Sequence, residues 1–226
     1  MGGSVTCQEK RLPPELPISD SLSPDGEASI FAPWFAGLPE AQRDLLSLLP
    51  VVDVNGAVIS ALEGGARAGA QARVFAALLC ADPFLRVRDA SKLLRAAGIA
   101  GVANFPTIQV IDGAAARGFD SADLGFQREA EVLGRFAAEG LEVLGFATSA
   151  ENGLQLIRHG ASALVVHPGP ASTDWRARAI AARGAEGTLA ELSGQCTVPL
   201  WLYCPPAYGA ELDGARALAT GLVRQS

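Results

Sequence analysis

An amide and a hydroxyl stand three residues apart in Gly101-Val102-Ala103-Asn104-Phe105-Pro106-Thr107, where a short apolar run breaks into polar side chains. Pro106 disfavours helical backbone at Phe105, so Asn104 and Thr107 are expected to project from a strand end and to orient a substrate there. A plain strand-terminating turn is the competing explanation. His167 closes the apolar run Leu164-Val165-Val166 ahead of Pro168-Gly169, a position from which an imidazole could exchange a proton near neutral pH. Cys80 ends the run that starts at Arg73; it is either a nucleophile, if His167 lies beside it as a base, or a small buried hydrophobe. Asp82 precedes Pro83, a pair suited to opening a helix and equally to lining a site.

Further candidates follow the same logic. Asp112 and Glu129 are carboxylates near strand and helix ends that could hold a divalent ion such as Mg²⁺ beside an anionic oxo acid, or could only cap and solvate. Gly169-Pro170-Ala171-Ser172-Thr173 offers hydroxyls and backbone amides to an anion, with Gly169 and Ser172 as the expected binders and a capped turn as the alternative. Cys204 ends the last apolar run and would share the mouth with Cys80, Asp82, Asn104, Thr107, Thr148 and His167 if the strands close into a barrel.

The elements that must carry these groups are legible as βα units in series. Arg73 to Cys80 reads as a buried parallel strand, followed by a helix opened by Asp82-Pro83 and stopped at Gly98. A helix over 128–139 stops at Gly140 and feeds a strand over 141–146; a helix over 150–159, capped by Ser149, stops at Gly160 and feeds a strand over 163–166. Earlier, 28–32 reads as a short strand, a helical pattern opens at Pro39-Glu40, and Asp53 caps a helix over 57–62. Later, 198–204 is the last strand, followed by a helix from Glu211 to Val223. Residues 1–25, with Pro13, Pro14, Pro17 and Pro24, read as an extended or poorly ordered leader to a single domain over 26–226. Parallel strands with helical crossovers leave two solutions, a closed barrel or an open doubly wound sheet. No GxGxxG and no GxxxxGK[ST] is present to favour the second.

Composition removes several classes of function. The net charge of -6, with 18 Lys and Arg and no basic run, disfavours nucleic-acid binding. No run reaches the roughly 20 apolar residues of a membrane helix, and Met1 to Asp20 has no signal-like apolar core, which together read as a soluble cytoplasmic protein. Cys7, Cys80, Cys196 and Cys204 show no CxxC spacing, in keeping with a reducing compartment, and two histidines make a histidine-rich zinc site a poor fit.

Several ordered motifs together resemble the phosphoenolpyruvate hydrolase-like TIM-barrel family, whose barrel also occurs in a plant antiviral resistance protein. They are Leu49-Pro50 with Asp53 and Asn55, Cys80-Ala81-Asp82-Pro83-Phe84, Gly101-Val102 with Asn104-Phe105-Pro106-Thr107, and Ile111-Asp112-Gly113. Weaker agreement continues through Leu124-Gly125-Phe126, Glu129, Glu131 and His167 with Gly169, so that the match spans about residues 45–170. The resemblance implies an α/β, TIM-barrel-like fold and an enzyme acting on a small anionic metabolite, phosphoenolpyruvate-like or a 2-oxo acid, by hydrolytic or lyase cleavage. A glycine-rich first strand is replaced by the proline-rich leader and no eighth strand is evident after Val223, so the barrel is expected to be incomplete at both ends. Open edges then call for a homo-oligomer, a partner chain completing the barrel, or cover by the leader. The alternative to an enzyme is a non-catalytic ligand-binding or interaction module on a degenerate barrel.

Overall fold

Alternating short apolar runs and glycine-stopped helices assemble into eight parallel strands. In the computed structural model, which describes residues 12–22, 28–170 and 172–226, these are β1 (Glu15–Ser19), β2 (Ser29–Phe31), β3 (Val74–Ala77), β4 (Gly101–Ala103), β5 (Glu142–Ala147), β6 (Ala163–Val166), β7 (Leu200–Cys204) and β8 (Gly221–Gln225). The helices are α1 (Arg43–Leu46), α2 (Val54–Glu63), α3 (Val87–Ala96), α4 (Gly113–Ser121), α5 (Phe126–Ala138), α6 (Ala150–Arg158), α7 (Trp175–Ser193) and α8 (Asp213–Leu218). Every strand pairs with its sequence neighbours, and β1 pairs with β8, so the sheet is a closed barrel.

Closure corrects the expectation of an incomplete barrel. Part of the proline-rich leader is β1, with Leu16 and Ile18 fully buried and register Glu15↔Leu222 to Ile18↔Gln225 against β8. The helix expected from Glu211 to Val223 instead ends at Leu218, and the chain re-enters the sheet at Gly221. A side chain at Gly221 would stand 2.7 Å from the Trp201 ring, so only glycine lets β8 lie this close to β7. Both edges that would have called for a second chain are therefore paired within this one. Residues 1–11 and 23–27, which include Cys7 and Pro24, lie outside the described residues.

Local sequence explains the rest. Gly98, Gly140 and Gly160 take φ of +75°, +83° and +95°, the left-handed conformation that lets each helix turn at once into the next strand. Asp53 and Ser149 cap α2 and α6 by accepting from the backbone N–H of Gly56 and Asn152. The helix expected at Pro83 starts only at Val87, because Asp82 Oδ1 accepts from the Phe84 N–H and closes a turn before the helix. Among the described residues, no helix is long and apolar enough to cross a membrane.

Candidate active site

Parallel strands all end on one face of a closed barrel, so Asn104, His167, Tyr203 and Gln225 share its C-terminal rim. They do not share one network. The two groups of polar side chains are separated by Phe105, whose ring stands 5.0 Å from Phe146, 5.3 Å from Tyr203, 5.9 Å from Trp34 and 6.0 Å from Phe35.

The first network is structural. Asn104 Oδ1 accepts from the Phe146 N–H at 2.7 Å and its Nδ2 donates to the Phe146 carbonyl at 3.0 Å, so the side chain imitates one more rung of the ladder between β4 and β5. The Thr107 hydroxyl donates to Glu129 Oε2 at 2.8 Å, while Glu129 Oε1 accepts from the Ile108 N–H at 2.7 Å. Gln109, which sequence reasoning passed over, ties the group together. Its Nε2 donates to Thr107 Oγ1, Glu129 Oε2 and the Phe146 carbonyl, and its Oε1 accepts from the Thr148 N–H and Asn152 Nδ2. Burial pushes the Glu129 carboxyl up to about 7 against the four groups that donate to it, the Ile108 N–H, the Thr107 hydroxyl, Asn104 Nδ2 and Gln109 Nε2. Asn104 and Thr107, expected to bind substrate, thus spend their polar atoms on Glu129, Gln109 and β5.

The metal expectation fails on the same ground. Glu129 is fully buried with both oxygens engaged, Asp112 is exposed at the start of α4, and the pair offers no open coordination set for Mg²⁺. Among the described residues, no group of three or more His, Cys, Asp or Glu converges as metal ligands.

The second network is built for proton chemistry. Asp44 enters from α1, just past β2; its Oδ1 accepts from the Tyr203 hydroxyl at 2.7 Å and from Gln225 Nε2 at 3.1 Å. Gln225 Nε2 also donates to the Tyr203 oxygen at 2.5 Å, and Gln225 Oε1 accepts from Arg43. His167 Nδ1 accepts from the Gly169 N–H at 3.0 Å, which leaves the hydrogen of the neutral ring on Nε2, 3.7 Å from Asp44 Oδ2. Gly169 holds this bond with φ of +101°, so its role here is to fix the imidazole tautomer. Burial drives the His167 pKa down to about 3 and lifts the Asp44 carboxyl to about 6, the latter opposed by the Tyr203 hydrogen bond and the Arg43 charge. His167 is therefore a neutral donor at ordinary pH, and Asp44 is the group that changes protonation there.

The remaining expected residues sit apart from this network. Cys80 is fully buried; burial and the charge of Glu129 raise its thiol well above the usual range, and its charged neighbours are Glu129 and Arg128 rather than His167. That is the setting of an inert thiol and corrects the nucleophile expectation. Cys204 alternates with Tyr203 along β7 and so faces away from the barrel interior, toward Arg216 of α8. Ser172 accepts the Asp174 N–H at its hydroxyl and an Arg178 hydrogen bond at its carbonyl. Asp82 Oδ2 accepts from Asn55 Nδ2, and both residues line a cleft of about 370 Å³ between α2 and α3. Asp53, Glu63, Asp82 and Asp89 outnumber Arg86 in that lining, which suits an anion poorly.

The family model described as phosphoenolpyruvate hydrolase-like matches residues 40–184. The chain belongs to the phosphoenolpyruvate hydrolase-like family. Uncharacterized protein y4oT of Sinorhizobium fredii (strain NBRC 101917 / NGR234) is 31% identical over 157 residues, covering 67% of this chain and 79% of that protein. ToMV resistance protein Tm-1(GCR237) of Solanum lycopersicum is 28% identical over 125 residues, covering 55% of this chain and only 17% of that protein. Among solved structures, the Amycolatopsis orientalis BexX/CysO complex superposes with a TM-score of 0.51 at 16% identity, covering 96% of this chain and 82% of that one. A putative lyase/mutase from Burkholderia cenocepacia J2315 gives 0.50 at 14% identity, covering 93% and 75%. At such identities the likeness is one of fold, and it agrees with the closed barrel of this family member.

Asp44, Tyr203, Gln225 and Gln109 escaped sequence reasoning. Tyr203 carried the one usable signal, since a tyrosine inside the buried run Leu200–Cys204 needs a partner for its hydroxyl. Asp44 and Gln225 carried none, because their partners lie on distant segments.

Proposed function

We propose that this family member is an enzyme that cleaves a small anionic metabolite, phosphoenolpyruvate-like or a 2-oxo acid, by lyase or hydrolytic chemistry at the Asp44–Tyr203–His167 rim. The observation that carries this reading is the pairing of a buried carboxyl poised at about 6 with a neutral imidazole donor whose Nε2 lies 3.7 Å from it. The substrate class rests on the family description. Two groups with pKa values pushed apart, one to exchange a proton and one to stay neutral, form a recurrent acid–base pattern.

In the lyase form, ionised Asp44 takes the proton of a hydroxyl on the carbon to be released. The carbon–carbon bond breaks, that carbon becomes a carbonyl, and the bonding electrons pass into the enolate of the 2-oxo acid. His167 Nε2–H donates to the enolate oxygen, and the proton held by Asp44 returns to carbon. Tyr203 and Gln225 keep Asp44 oriented throughout. Hydrolysis would use the same carboxylate to deprotonate water.

A second reading, a non-catalytic binding module, is favoured by the aromatic cover of Trp34, Phe35 and Phe105 over the rim. Turnover assays with phosphoenolpyruvate and a panel of 4-hydroxy-2-oxo acids, following pyruvate release, separate the two. Release by the wild type that is lost in Asp44→Asn and His167→Ala supports the enzyme; calorimetric binding without any release supports the module.

A further inference from the structure

A buried hydroxyl without an acceptor is an expensive feature unless something else supplies one. Tyr208, in the turn after β7, is 7% exposed, and its hydroxyl has no hydrogen-bond partner among the described residues. Its surroundings are set by short links. The Tyr208 N–H donates to the Pro205 carbonyl; the adjacent Gly209 N–H donates to Glu211 Oε2 at 2.8 Å; Glu211 Oε1 accepts from Arg178 Nε at 3.0 Å. Arg178 also reaches back through Nη1 to the carbonyls of Ser172 and Thr173, tying the turn after β7 to the loop after β6. Among the described residues its Nη2 enters none of these bonds, so a guanidinium that is partly buried keeps one donor face unspent. Burial raises the Tyr208 hydroxyl above its ordinary range, and the charges of Arg178, Glu211 and Asp44 act on it as well.

Both unspent groups are donors near the C-terminal rim, Tyr208 in the turn after β7 and Arg178 in the first turn of α7, the helix that follows β6. Of the other buried polar atoms without partners among the described residues, Ser29 Oγ and Trp201 Nε1 lie in the first half of β2 and β7, toward the opposite end of the barrel, while Trp34 Nε1, just past β2, is a further unpaired donor on the side of the rim. An acceptor-rich group is what the rim lacks.

We infer that the Tyr208 hydroxyl and Arg178 Nη2 form the anchor for the carboxylate of the ligand, seating it beside Asp44 and His167. This rests on the reading of the rim as the site for a small anion and adds which residues read the charge. A hydroxyl and a guanidinium together suit a planar carboxylate, one oxygen to each donor. Arg178 holds the loop after β6 to Glu211 whether or not ligand is bound, so the anchor is preorganised.

Titration calorimetry on the full chain tests the anchor, with pyruvate, phosphoenolpyruvate and inorganic phosphate as probes and Tyr208→Phe as the variant. Pyruvate or phosphoenolpyruvate is expected to bind the wild type and to bind Tyr208→Phe about tenfold more weakly, the effect of one lost hydrogen bond to a charged group. The melting temperature of Tyr208→Phe without ligand is expected to stay level or rise, because no bond is lost and one orphan hydroxyl is removed. A purely structural tyrosine would show the reverse: lowered melting temperature and unchanged affinity. That result, equal affinity in the two proteins, or preference for inorganic phosphate over both carboxylates overturns the anchor, as does failure of all three probes to bind the wild type. Weakened binding in Tyr208→Phe without turnover in any protein would keep the anchor and remove the enzyme reading.

Discussion

The Tyr203 hydroxyl, on the seventh strand, donates a 2.7 Å hydrogen bond to Asp44 Oδ1 from the segment after the second, joining residues 159 positions apart. This bond stabilises the ionised carboxylate, against a burial that favours the neutral form. The balance leaves Asp44 near 6, where it can both accept and return a proton.

A pH profile of turnover should therefore rise through about 6 as Asp44 ionises, because the base is active only when deprotonated. Tyr203→Phe removes a bond that lowers the Asp44 pKa, so the rising limb should move to higher pH. Asp44→Asn should reduce kcat by about 10² to 10⁴ at every pH. An unshifted limb in Tyr203→Phe would show that another group sets the profile.

The buried His167 ring should stay neutral from pH 5 to 8, its pKa lying near 3. Nitrogen-resolved NMR of the imidazole should show a hydrogen on Nε2 and an unprotonated Nδ1, as the bond from the Gly169 N–H requires. A titration with midpoint near 6.5 would contradict the donor role.

Glu129 links the fold to pH with a definite sign. Its carboxyl rises from 4.5 in a free chain to about 7 in the fold, so the folded state holds the proton more tightly. The resulting stability is fully present below 4.5 and is lost as pH rises through 7, amounting to about 3 kcal/mol. Asp44, raised from 3.8 to about 6, adds a loss of the same sign at lower pH. Thermal melts should fall between pH 5 and pH 8. Glu129→Gln should flatten that slope while lowering the melting temperature at pH 5, since an amide that keeps its oxygen toward the Ile108 N–H turns two hydrogens toward Asn104 and Gln109, which donate to Glu129 Oε2.

Asn104→Ala should cost about 2 to 3 kcal/mol in chemical denaturation, because it strands the Phe146 N–H and removes a donor from its carbonyl in the core. Its effect on ligand affinity should be small by comparison. A variant of wild-type stability with lost binding would restore the substrate-binding role instead.

What could be read from the chain followed the range of the interactions involved. Gly98, Gly140, Gly160, Asp53 and Ser149 act within a few residues of themselves, and their roles as helix stops and caps were legible. β1 was hidden because Pro17 and two half-polar ends obscure a strand with only Leu16 and Ile18 turned inward. β8 was hidden because Ala215 to Val223 fits a helix until Trp201 demands a glycine at 221. At the rim, the sequence leads to the expectation that His167 exchanges a proton near neutral pH, whereas burial lowers its pKa to about 3, because desolvation depends on neighbours that periodicity does not reveal. Asn104 and Thr107 are expected from the sequence to bind substrate and Glu129 to hold a metal, whereas in the fold their polar atoms join β4, α5 and β5.

The β1–β8 seam has a temporal meaning as well. Glu15 faces Leu222 across it, so β1 is synthesised well before the strand that closes the barrel against it. Until then the first strand has β2 on one flank and nothing on the other, and the nascent sheet is an open crescent. Closing the seam therefore pairs the two strands of the barrel that lie farthest apart in the sequence, a long-range contact that loop-closure entropy makes slow to form.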